Sequence, residues 1–195
     1  DVVRAAGAST MGRILHADRR QPLPLSLAQQ RLWFLDRLDK AASAAYHMPA
    51  ALRLVGDLDA AALQATLDRL VARHESLRTR FVAIDGVPVQ QIAPEDCGFA
   101  LRREDLSALP ADEREALVAS LTAEEARAEF DLSRGPLIRG RLLRLAGDEH
   151  VLLVTQHHII TDGWSLGILV REVAALYTAF TRGEADPLPP LEIQY

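Results

Sequence analysis

Residues 151–160 read VLLVTQHHII, an apolar run that fills both parities of a strand and ends in two adjacent histidines. Successive side chains of a strand point to opposite faces. Val151, Leu153 and Thr155 therefore share a face with His157, while Leu152, Val154 and Gln156 share the other with His158. Both faces are apolar, so this strand calls for a central place in a sheet with cover on both sides. The same parity sets the histidines apart. They cannot serve one site while both stay extended: one belongs to packing, the other to a cavity, and parity alone does not choose.

The chain continues TDGWS and then places Leu166, Leu169, Val170, Val173, Leu176, Tyr177 and Phe180 at helical spacing. Ser165 is the expected cap of that helix. An imidazole works as a base at neutral pH only with its ring and tautomer fixed. Asp162, four residues after His158, either fixes the ring directly or braces the loop by pairing with an arginine. Gly163 allows a positive φ or a close approach of substrate. No metal site is expected. The i, i+4 histidines of a helical zinc site are missing, and His150, read as lying before the strand, is too far along to join.

The remaining chain alternates helices and strands. Pro22 and Pro24 disfavour helix, after which Ser26 caps SLAQQRLWFLDRL with Gln29 in capping-box position. Trp33 in that helix has the spacing of a packing residue. AYHMPAALRLV reads as a strand, and Asp59 caps a helix carrying Leu63, Leu67, Leu70 and Val71. Arg73, His74 and Glu75 end it, where cations suit the terminal dipole. LRTRFVAIDGVPVQQIA is a hairpin about Asp85-Gly86, LPADEREALVASLTAEEARAEF a long helix, and the Gly135-Pro136 break leads into another strand. One α/β sandwich-like domain fits this order, and the missing GxGxxG argues against a dinucleotide fold.

Several function classes drop out. With 22 basic against 27 acidic residues and a net charge of −5, no basic face is concentrated for nucleic acid. No window approaches the roughly 18 apolar residues of a membrane span, and the first residues lack a signal peptide. Cys97 is the single cysteine, which excludes a disulfide scaffold and suits the cytoplasm. The absence of an initial Met and the abrupt LPPLEIQY suggest a chain cut from something larger.

Three stretches carry a resemblance. HHIITDGWS at residues 157–165 is similar to the HHxxxDG motif of the condensation domains of nonribosomal peptide synthetases. SLAQQRLWFLDRL at 26–38 resembles that family's first conserved segment and RHESLRTRF at 73–81 its second. The resemblance spans nearly the whole chain in the family order. It implies a chloramphenicol acetyltransferase-like α/β fold, of which this chain would be the N-terminal lobe of a V-shaped pseudo-dimer. Residues 1–20 would be interdomain linker, 21–186 the lobe, and 187–195 the start of the connection to a C-terminal lobe.

The implied reaction is amide formation between a thioester on an upstream carrier and the amine of an aminoacyl thioester on a downstream carrier. Both are delivered on 4′-phosphopantetheine arms, with no cofactor or metal bound by the lobe itself. Partners would be the two peptidyl carrier domains, an adjacent adenylation domain and the C-terminal lobe; no nucleic acid or membrane is implied. By motif, His158 is the catalytic histidine, as base or by positioning the amine, and His157 is structural. Asp162 holds the loop through a salt bridge with Arg78, Gly163 leaves room beside the pantetheine, and Trp164 and Ser165 support the helix start. Arg73, His74, Glu75 and Trp33 are motif residues in support. The intact HHIITDGWS looks most like the form joining two L-residues. Two other readings compete: a free-standing acyltransferase using coenzyme A thioesters, and a module that docks a carrier without making bonds.

Overall fold

Helix α1 (Leu27–Leu38) starts after the two-residue strand β1 (Leu23–Pro24). The Ser26 hydroxyl accepts from the Gln29 N–H at 3.3 Å, and Gln29 Oε1 accepts from the Ser26 N–H at 2.9 Å. This is the reciprocal cap that the sequence predicts. The computed structural model describes residues 17–18, 21–39 and 43–194, so most of the expected linker lies outside the described residues. Strand β2 (His47–Val55) follows, then α2 (Ala60–Arg73), whose first N–H groups at Ala61 and Ala62 both donate to Asp59 Oδ1 at 2.9 Å.

Strands β3 (Thr79–Ile84) and β4 (Val87–Ile92) form the expected hairpin. Asp85 and Gly86 both have positive φ, 51° and 82°. That backbone matches the twist of a two-residue hairpin and requires glycine at its second position. Strand β5 (Leu101–Asp105) is absent from the sequence reading. Its LRRED carries no apolar alternation, and it is a strand because it pairs in parallel with its neighbour. Helix α3 (Ala111–Arg127), strands β6 (Ile138–Arg144) and β7 (Glu149–His157), and helix α4 (Gly163–Thr181) complete the order.

Two sheets result. The smaller runs β1-β4-β3; the larger runs β2-β7-β6-β5, antiparallel except for the β5–β6 pair. His150 lies within β7, opposite Leu54 and Arg144, rather than before the strand. As its two apolar parities require, β7 sits between β2 and β6 with cover on both faces. Leu142 and Leu152 join Leu63, Leu67 and Leu70 of α2 and Leu169 of α4 in the main core. Leu143, Val151 and Leu153 join Leu106 and Leu121, from the α3 side, in a second core. Each buried leucine contributes about 2 kcal/mol by leaving water. Gly140 permits the close packing at β6: a Cβ there would stand 2.9 Å from the Phe99 ring and 3.0 Å from the Leu153 carbonyl oxygen.

Candidate active site

The end of β7 separates the two histidines. His157 is fully buried, and its N–H donates to the Leu137 carbonyl at 2.9 Å. The His158 N–H donates to the Tyr46 carbonyl at 2.8 Å, and the chain then tightens so that the Ile160 N–H reaches the His157 carbonyl at 3.1 Å. His157 thus belongs to packing. Its ring lies edge-on to His47 and Phe130. His158 is exposed and lines a cavity of about 610 Å³.

Hydrogen-bond partners fix opposite tautomers on the two rings. The Ile159 N–H donates to His157 Nδ1 at 3.0 Å, so that nitrogen is bare and the proton sits on Nε2. His158 Nδ1 lies 2.7 Å from the Thr161 carbonyl oxygen, which only accepts. Its Nδ1 therefore carries the proton and its Nε2 keeps a lone pair. This is the arrangement a proton acceptor needs, with orientation supplied by a backbone carbonyl instead of a carboxylate.

The cavity lies between α1, the turn after α2, the His158 loop and the chain leaving α4. Leu32, Leu77, Ile160, Leu169, Leu191 and Ile193 give it apolar walls, and Arg31, His74, His158 and Gln194 give polar points. A larger groove of about 1000 Å³ lies along the small sheet and Gly135-Pro136, and among the described residues no histidine lines it.

Asp162 and Arg78 do not form the expected ion pair. Asp162 is the cap of α4, accepting from the Ser165 N–H at 2.7 Å and the Ser165 hydroxyl at 2.6 Å. The cap is thus Asp162, with Ser165 as its partner three residues on. Arg78 lines the larger groove, where it donates to the Ala93 carbonyl and stands 3.9 Å from Glu75 and 3.8 Å from Glu95. Both groups have other partners, and they line different cavities.

The Ser165 hydroxyl and N–H, with lesser help from the Trp164 N–H and the His158 imidazole, hold the Asp162 carboxyl below the usual carboxylate range against the opposing effect of burial. A depressed carboxylate stabilises fully above its unfolded value of about 3.9, and the effect fades as pH falls through the lower folded value. A cap and a buried ion pair respond differently to substitution. Asp162→Asn is expected to melt within a few tenths of a kcal/mol of the parent, because asparagine caps as well, and Asp162→Ala to lose about 1 kcal/mol. Equal losses of several kcal/mol in both variants would instead indicate an ion pair.

The end of α2 does more than suit a helix dipole. Arg73 Nε donates to Glu172 Oε1 at 3.1 Å, and His74 Nε2 lies 2.6 Å from Glu172 Oε2. Arg73 and Glu172 are buried, and His74 nearly so. Arg73 Nη1 also donates to the Pro189 carbonyl at 2.6 Å. Gln194 Nε2 donates to the Arg73 carbonyl at 2.9 Å, and its Oε1 accepts from the Glu75 N–H at 3.1 Å. The segment leaving α4 is thereby strapped to the end of α2. Glu172 and Gln194 escaped the sequence reading. Glu172 had a signal: it falls on the stripe of Leu169 and Leu176, where a carboxylate needs a buried cation.

Trp33 packs against the main core with the Arg37 guanidinium 5.0 Å from its ring centre. Trp164 is 85 % exposed, so it supports the start of α4 through its backbone alone. Gly163 has open space where a Cβ would lie. No group of three His, Cys, Asp or Glu side chains suited to a metal occurs among the described residues. No described helix is long and apolar enough to cross a membrane.

The condensation domain family profile matches residues 19–195. The chain is 52 % identical over 186 residues to a linear gramicidin synthase of Brevibacillus parabrevis, covering 95 % of this chain and 4 % of that protein. It is 50 % identical over 182 residues to malpibaldin synthetase of Mortierella alpina, covering 93 % and 3 %. Among solved structures, the X-domain from teicoplanin biosynthesis superposes with a TM-score of 0.79 at 36 % identity, over 92 % of this chain and 37 % of that one. The first condensation domain of the calcium-dependent antibiotic synthetase, in complex with a substrate analogue, superposes with a TM-score of 0.75 at 28 % identity, over 86 % and 40 %. The chain thus spans a small part of these two synthetases and less than half of these two solved chains. A histidine-bearing strand end, its capped helix and a profile running from residue 19 to 195 make this chain a member of the condensation domain family of nonribosomal peptide synthetases.

Proposed function

We propose that this chain is the N-terminal lobe of a domain that forms an amide between two carrier-bound acyl groups, with residues 21–186 as the lobe and 187–195 leading to a C-terminal lobe. The amine of a downstream aminoacyl thioester attacks the carbonyl carbon of an upstream thioester. The C–N bond forms, the C–S bond breaks, and the upstream sulfur leaves on its phosphopantetheine arm. The proton lost by the nitrogen passes to His158 Nε2 and from there to the departing thiolate or to water.

The observation that carries this reading is the single commitment of the His158 ring: Nδ1 is held by the Thr161 carbonyl, and the other nitrogen is left bare on a residue that borders the 610 Å³ cavity. Apolar walls with a few polar points suit a pantetheine arm, which is itself a chain of methylenes and amides. A thioester is already activated, so holding the amine beside it supplies much of the rate and the base supplies the rest. Asp162, Ser165 and Gly163 act at one remove by starting α4 where the loop ends.

The unaltered HHIITDGWS supports a reaction between an L-donor and an L-acceptor. The test is to mix the intact synthetase with both carriers loaded and follow the products by mass spectrometry. Dipeptidyl thioester on the downstream carrier is expected with an L-donor and little with a D-donor. Absence of product with either donor sinks the proposed reaction, and preference for the D-donor sinks the stereochemical part.

A further inference from the structure

Asp36 is 3 % exposed on α1, buried in a position the proposed chemistry does not use. Its Oδ1 accepts from the Ser43 hydroxyl at 2.7 Å, and Ser43 is buried as well. The Ser43 oxygen lies 3.4 Å from His157 Nε2. That nitrogen carries the ring proton, because the Ile159 N–H occupies Nδ1. The three bonds agree in direction: His157 Nε2–H to Ser43, Ser43 O–H to Asp36, and Ile159 N–H to His157 Nδ1. Moving the His157 proton to Nδ1 would set it against the Ile159 N–H, and turning the Ser43 hydroxyl toward His157 would set it against the Nε2–H.

We infer that Asp36 and Ser43 are positioning residues that set the tautomer of His157 and, through its bond to Ile159, hold the turn that presents His158. The inference rests on the proposed role of His158. The connection is short. Ile159 follows His158 directly, and the turn it enters ends at Thr161, whose carbonyl holds His158 Nδ1. If the His157 ring flips or moves its proton, the Ile159 N–H loses its acceptor and the turn loosens. Gln29 gives the turn a second, weaker tether, with Nε2 at 3.5 Å from the Ile159 carbonyl. α1 thus reaches the loop from two places, one through the capping box and one through the Asp36–Ser43 pair.

Ser43→Ala removes the hydroxyl with little change in volume, and Ser43→Thr keeps it. In the intact synthetase with loaded carriers, Ser43→Ala is expected to lower kcat on the order of tenfold while KM for the acceptor carrier changes less than about twofold. Ser43→Thr is expected to recover most of that loss. Imidazole 15N spectra of histidine-labelled protein read the tautomers independently of turnover. The parent should show a bare Nδ1 on His157 and a bare Nε2 on His158, and Ser43→Ala should show a mixture on His157. Spectra that are the same in parent and Ser43→Ala overturn the inference, as does an unchanged kcat in an active enzyme. Spectra that change as expected in a protein making no amide leave the relay standing and remove the proposed reaction.

Discussion

His158→Ala is expected to abolish detectable amide formation in the intact synthetase, a fall of about 10²–10⁴ in the chemical step. The magnitude is that of losing a general base, here the His158 ring nitrogen left bare at the cavity wall. The loss should be chemical and not structural. His158 is exposed, its backbone N–H bond to Tyr46 does not involve the ring, and the Asp162 cap is made without it. Losing the ring's bond to the Thr161 carbonyl costs about 1 kcal/mol, which leaves the fold in place. Single-turnover formation of the dipeptidyl thioester, measured beside a melting curve, separates the two effects. A parent-like rate in a folded His158→Ala would leave positioning of the amine to account for the reaction and take the imidazole out of it.

Glu172→Ala is expected to cost about 3–5 kcal/mol of stability, the largest loss foreseen for any polar side chain described above. Both carboxylate oxygens are engaged, one by Arg73 and one by His74, in a nearly dry space between α2 and α4. Removing the carboxylate leaves the buried Arg73 charge with the Pro189 carbonyl as its hydrogen-bond partner and Asp186 as a more distant counter-charge. The double replacement Arg73→Leu with Glu172→Leu should recover a large part of the loss, because apolar groups of similar size carry no charge to desolvate. Urea unfolding of the three proteins measures both terms through the midpoint at constant slope. A loss below about 1 kcal/mol for Glu172→Ala would mean that water reaches Arg73, contrary to its burial.

Much of this arrangement was legible in the sequence because it rests on local rules. The caps at Ser26 and Asp59, the Asp85-Gly86 turn and the two-sided apolar run of β7 each have a residue-level signature, and each occurs in the structure. β5 had no such signature, since its LRRED is a strand only by virtue of β6. The sequence points to Ser165 as the α4 cap, three residues beyond the Asp162 that forms it. Asp162 and Ser165 are both good caps, and the sequence does not show which one the chain direction favours at the end of the turn. The resemblance pairs Arg78 with Asp162, whereas the Arg78 fork is taken up by Ala93, Glu75 and Glu95. The Asp36–Ser43–His157 chain brings together residues 114 apart in sequence between Ser43 and His157, and no spacing rule announces such a contact.

The strap between the end of α2 and residues 189–194 has a consequence for breathing motions. Leu191 and Ile193 form part of the cavity wall, and they are held there by Arg73, Glu75 and Gln194. Those three bonds bracket one short segment, so peeling it away breaks them together. Amides on the strap and at the end of α2 then share a single opening free energy and exchange with solvent as one cooperative unit.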